Sequence, residues 1–217
     1  MSISQGRVST FIGPDQAERV EALATSSSLF PLLGGRAVHG RLLRAEEDLP
    51  GQAPVVILSY AFWQRAFGSD PSIVGKTITL NGLGSGGGEA RNQFEVVGVL
   101  DRSFLMNGEI MPTVSSTRQM EVFVAQPFGP ETQTKRRGDE NFNIMARLKP
   151  GVTLEQARLD VLETAARIRE KDTRDATFTI DTVSLVESIV GDVRLAVLVL
   201  LGFVALVLLI ACVNVAN

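Results

Sequence analysis

Apolar and polar positions along this chain follow two rhythms, of period two and of period 3.6, before both give way to one unbroken apolar run. Pro54–Ser59 (PVVILS) is a short continuous apolar stretch, the pattern of a strand covered on both faces. Ser59 stands where a helix N-cap is expected, with Phe62, Trp63, Ala66 and Phe67 as the apolar side of a short helix. Gly68 and the pair Asp70-Pro71 end it. In Thr77–Asn81, Ile78 and Leu80 alternate with threonine and asparagine, and Phe94–Leu100 (FEVVGVL) answers them, which predicts a hairpin. Its connection, Gly82–Asn92, holds Gly84, Gly86, Gly87 and Gly88 and reads as a mobile tip. Gln119–Ala125 predicts another strand, with Met120, Val122 and Val124 on one face.

The second half is punctuated differently. Gln126–Asn141 is polar and turn-rich, and Lys135, Arg136 and Arg137 within it read as a solvated loop rather than a contact patch for an acidic partner. Asn141–Leu148 predicts a half-buried strand with Phe142, Ile144, Ala146 and Leu148 inward. After the turn Lys149-Pro150-Gly151, Thr153 and Gln156 form a capping box that opens a helix to about Lys171. Leu154, Ala157, Val161, Ala165 and Ile168 make its apolar stripe. Thr177–Leu185 predicts a further strand, so this β-α-β unit runs through Ser188–Asp192 into the apolar run.

That run, Leu195–Val213, has 19 residues without a charge, and 14 are Leu, Ile, Val or Phe. At helical rise it covers roughly 28 Å, close to the hydrocarbon thickness of a bilayer. Its 14 large apolar residues favour insertion by about 6 kcal/mol in all. A membrane span is therefore expected within residues 193–217, preceded by a domain over residues 1–190, in one body or two lobes, with 50–125 as its central insertion. Gly202 and Ala205 allow another helix to approach, and Cys212 reads as a small apolar filler. The opening MSISQGRVSTF has no apolar stretch of signal-peptide length. Taken at face value the chain is a cytosolic tail-anchored protein; taken as a fragment it is an extramembranous domain of a longer membrane protein.

Composition narrows the chemistry. With 217 residues, a formal net charge of −3 and 45% apolar residues, the chain is globular and lacks the basic surplus of a nucleic-acid binder. A single Cys and a single His, His39, exclude disulfide frameworks, cysteine metal clusters and sites with two imidazoles. Gly75-Lys76-Thr77 suggests a phosphate loop, but Asp70 stands where the first glycine belongs, and strand formers follow where a helix is needed. Glu46, Glu47 and Asp48, near Arg41 and Arg44, lack the alternating spacing of a hard-cation loop and read as a charged turn. Tyr60 and Trp63 read as core or a partner-facing patch. No catalytic, cofactor-binding or metal-binding residue is expected.

Several stretches carry a resemblance. Ser28–Gly34 (SLFPLLG), Gly40-Arg41-Leu42 and Glu47-Asp48, then Val55–Gly82 with Phe94–Leu100, Ala146–Ala157 (ARLKPGVTLEQA) and Leu206–Asn217 (LVLLIACVNVAN), stand in family order. Together they resemble the MacB-like periplasmic core domain of ABC-transporter permeases over about residues 20–217. The chain departs from that pattern at its glycine-rich tip and at residues 1–20. The resemblance implies an α+β, mixed-sheet extracytoplasmic domain with a membrane helix before it and three after it, of which this chain carries one transmembrane helix after the domain, in a bacterial inner-membrane permease without cofactor or catalysis. It implies a mechanotransmission role in export, with a separate ABC ATPase subunit, a second permease copy and the lipid bilayer as partners, and it admits a periplasmic adaptor. The different-class reading is a membrane-anchored extracytoplasmic binding or regulatory module.

The broken phosphate-loop pattern sets the first prediction. The purified chain should show no saturable ATP binding by calorimetry; binding that disappears in Lys76→Ala would refute it.

Overall fold

Valine-rich and alternating segments need partners for both their faces and their edges, and the fold supplies them by closing a mixed sheet on itself. The computed structural model describes residues 1–14, 16–83, 93–108, 118–127, 142–171, 180 and 182–216. They form two compact units, Met1–Arg147 and Leu148–Asn217. The class is α+β.

In the first unit β1 (Ser2–Ile12) and β2 (Ala17–Thr25) make a long antiparallel hairpin, paired from Ser4↔Thr25 to Ile12↔Ala17. Helix α1 (Leu29–Leu33), β3 (Ala37–Gly40), β4 (Val55–Leu58) and α2 (Tyr60–Phe67) follow. Then come β5 (Thr77–Asn81), β6 (Gln93–Leu100), β7 (Val122–Ala125) and β8 (Asn143–Met145). The pairing order is β2-β7-β4-β6-β5-β1, and β1 pairs β2 again, so the path returns to its start. Pairs β2·β7 and β4·β6 are parallel and the others antiparallel.

The closed path separates two cores. One gathers Phe11, Val20, Ala22, Val56, Leu58, Ile78, Leu80, Phe94, Val96, Val122 and Val124, with Phe62 and Trp63 brought in by α2. The other, with Leu29 and Phe30 of α1, holds Leu23, Val55, Ile57, Val97, Leu100, Met120 and Phe123. Strand β4 therefore divides its side chains between both, as its continuous apolar run requires.

Strand β6 reaches the same end by an irregularity. Val56 pairs Val96 but Ile57 pairs Gly98, so β6 has one residue more than β4 at this point. Because side chains alternate strictly, the extra residue reverses the phase: Val99 joins Phe94 and Val96, while Val97 and Leu100 face the second core. Here β3 crosses closely. A Cβ on Gly98 would strike the Arg41 carbonyl, and one on Gly40, at φ +67°, the Val97 carbonyl.

Helix α2 and the β5–β6 hairpin form as the sequence predicts. The Ser59 hydroxyl accepts the Phe62 N–H at 3.2 Å, and Gly68 takes the left-handed C-cap conformation. Thr77↔Glu95 and Ile78↔Phe94 set the hairpin register. The tip glycines Gly84, Gly86, Gly87 and Gly88, and Lys135, Arg136 and Arg137, lie outside the described residues.

Three expectations are corrected. Met120 does not share a face with Val122 and Val124: β7 starts at Val122, and Met120 packs with Phe123 in the second core. Strand β8 turns the opposite way, burying Asn143 and leaving Ile144 61% exposed. Its pairing Ser4↔Asn143 sets Asn143 against the polar side of β1, where the Ser4 hydroxyl donates to the Asn143 carbonyl. In the second unit, Ile180 and Thr182–Ser184 are irregular rather than strand, and Leu185 already begins a helix; no closing strand of a β-α-β unit is present among the described residues.

Helix α3 (Leu154–Lys171) opens with the predicted capping box, Gln156 N–H to Thr153 Oγ1 at 3.2 Å and Thr153 N–H to Gln156 Oε1 at 2.9 Å. Ala165 is buried and Ala157, Val161 and Ile168 are half-buried, while Leu154 is exposed. Helix α4 spans Leu185–Ala216, 32 residues.

The glycine crossing is testable by urea unfolding in detergent. Gly98→Ala should lose about 3 kcal/mol through forced backbone displacement. Gly51→Ala, at φ +89° with open space around it, should lose only about 1 kcal/mol from its left-handed conformation. Equal losses would show that the crossing tolerates a side chain.

Candidate functional site

The polar groups that the sequence brings forward are turned onto the protein's own donors and cations. The Asp48 carboxylate accepts the Ser27 N–H at 2.9 and 3.1 Å and the Ser27 hydroxyl at 2.7 Å. Glu47 pairs with Arg41 through 2.6 and 3.2 Å contacts and accepts the Arg44 N–H at 2.7 Å, which closes the 3-10 turn Ala45–Asp48. Only Glu46 of the three acids is exposed. Among the described residues no group of three His, Cys, Asp or Glu side chains is placed to hold a metal ion.

Lys76 precedes a strand, and its ammonium donates to Ser72 Oγ at 2.8 Å and lies 3.6 Å from Asp70. The Ser72 hydroxyl and N–H both donate to Asp70, and those of Ser103 to Asp101, which holds each carboxyl below the usual carboxylate range. The His39 ring lies 5.1 Å from Trp63, centroid to centroid, and the Trp63 indole N–H donates to the Asp70 carbonyl at 2.9 Å. Trp63 is thus core, with Tyr60 edge-on to it at 5.4 Å.

One cluster escaped the sequence reading. Arg65, near the end of α2, reaches Glu121 at 2.7 Å and Glu18 at 3.4 Å, with its guanidinium 5.3 Å from the Phe62 ring centre. Partial burial disfavours the cation, but the Glu121 hydrogen bond and charge outweigh it and raise the proton affinity of Arg65. Glu121 also accepts the Glu21 N–H at 3.1 Å, so the cluster ties β2, α2 and the lead-in to β7 together. Its members lie far apart in sequence, and no local spacing announces them. Beside it, Tyr60, Gln64, Arg102, Leu105 and Gln119 line an open cleft of about 230 Å³.

Helix α4 is long and apolar enough to cross a membrane. Val197–Asn214 has a mean hydropathy of 3.0, and none of that stretch is buried by the rest of the chain. Cys212 lies within it and is exposed, so it fills no protein core. An 18-residue window covers about 27 Å, enough for the hydrocarbon layer. The preceding part of the same helix, Leu185–Ala196, continues for about 18 Å beyond it. The expected membrane span is thus the end of a longer helix.

Comparisons with known proteins concern the part of the chain that precedes α4. The sequence profile described as "MacB-like periplasmic core domain" matches residues 2–163. Among solved structures, the extracellular domain of the noncanonic ABC-type transporter YknZ from Gram-positive bacteria is similar at 15% identity. That match covers 79% of this chain and 75% of the other, with a TM-score of 0.50. A domain described as that of a permease from Porphyromonas gingivalis matches at 16% identity over 76% and 68% of the two chains, TM-score 0.52. The periplasmic region of MacB from Actinobacillus actinomycetemcomitans matches at 18% identity over 66% and 70%, TM-score 0.38. No curated protein sequence matches the chain.

Two measurements follow from these sites. A carboxyl whose folded value is lowered stabilises the fold above its ordinary range, and that contribution is lost as pH falls through the folded value. The melting temperature should therefore drop on acidification below about pH 4, and Asp70→Asn should flatten part of the drop. An unchanged acid profile in that variant would remove Asp70 from the account. For the span, the triple change Leu206→Arg, Val207→Arg and Leu208→Arg should cost insertion about 10 kcal/mol, more than the about 6 kcal/mol that favours it, read as a fall in the membrane-integrated fraction after carbonate extraction. Full integration of the variant would argue against a span centred there.

Proposed function

Since the chain belongs to the MacB-like periplasmic core domain family, we propose that it is part of a permease subunit of a MacB-type ABC exporter in the bacterial inner membrane. Residues 1–190 are the extracytoplasmic part, with the start of α4 as their last turns, and residues 193–217 enter the membrane. The subunit does no covalent chemistry. Nucleotide is hydrolysed by a separate ABC ATPase subunit and two permease copies work together, an arrangement that leaves room for a periplasmic adaptor outside.

The observation that carries this reading is the unbroken helix from Leu185 through Val197–Asn214. Each peptide in such a helix is hydrogen-bonded to one four residues away, so its length is held against axial load. Movement of the membrane helices, driven by ATPase partners, then arrives at Leu185 instead of being absorbed by slack. A glycine-rich linker would behave as a random coil and absorb it. Ser188–Asp192, expected from the sequence to be a short connection, belongs to this helix, so the stiff segment reaches back to Leu185.

A tethered binding or regulatory module is the competing reading, and it makes the opposite demand. A tether has only to keep the domain near the membrane. Inserting six Gly/Ser residues after Asp192 in the full-length permease separates the two. The lever reading expects loss of transport with expression, membrane insertion and ATPase association unchanged. Wild-type transport at matched expression would exclude it in favour of the tether.

A further inference from the structure

We draw no further inference here: the strongest candidate, the open cleft between the start of α2 and the Arg102–Met106 segment, combines an apolar floor with Arg102 and Gln64, and nothing in the structure shows what covers it.

Discussion

Backbone pairing along β1 is the constraint on which the first unit depends. Its eleven residues meet β2 from Ser4 to Ile12, β5 through Thr10–Ile12 and β8 through Ser2–Ser4. Remove it, and β2 and β5 each lose the partner that joins one end of the sheet to the other. The same strand places Phe11 against Phe62 and Phe67, with ring centres 5.4 and 5.5 Å apart, so closure and the packing of α2 stand together. Unpaired backbone donors and acceptors in a buried strand are costly, which favours complete closure over an open edge.

Legibility in the sequence followed the distribution of apolar side chains. The β4 run, the α2 cap and the β5–β6 hairpin are visible because their buried positions are Val, Ile, Leu and Phe, with Ser, Gly or Pro at the ends. Strand β1 is hidden for the opposite reason: it buries Ser2, Ser4, Gln5 and Ser9. The serines are satisfied by partners distant in sequence, such as Ser9 Oγ donating to the Asn81 carbonyl at 2.8 Å and Ser2 Oγ with Ser26 Oγ at 3.2 Å. No window of ten residues contains that information. The inverted face of β8 has the same origin, since Asn143 is buried on the polar side of β1 while the apolar Ile144 is left outside.

The charged residues show a comparable division. A capping box is a local rule and is found where the spacing places it, at Thr153 and Gln156. The Arg65 cluster is not local: Glu18, Arg65 and Glu121 meet only because β2, α2 and the approach to β7 converge. With the acids of the Ala45–Asp48 turn and the Asp70–Ser72–Lys76 group, it shows how the described charges are spent on holding segments together.

The continuity of α4 has a consequence in rotation as well as in length. Successive residues of a helix are offset by about 100°, because 3.6 residues complete a turn. Once Leu185 and Asn214 belong to the same helix, the azimuth of one end is tied to that of the other. Twisting the apolar end turns the Leu185 end with it. One added residue would change the facing of everything beyond it by more than a quarter turn, whereas seven would restore it to within about 20°. The helix therefore sets a phase between its apolar end and Leu185, and the spacing between its two ends is constrained as an angle before it is constrained as a distance.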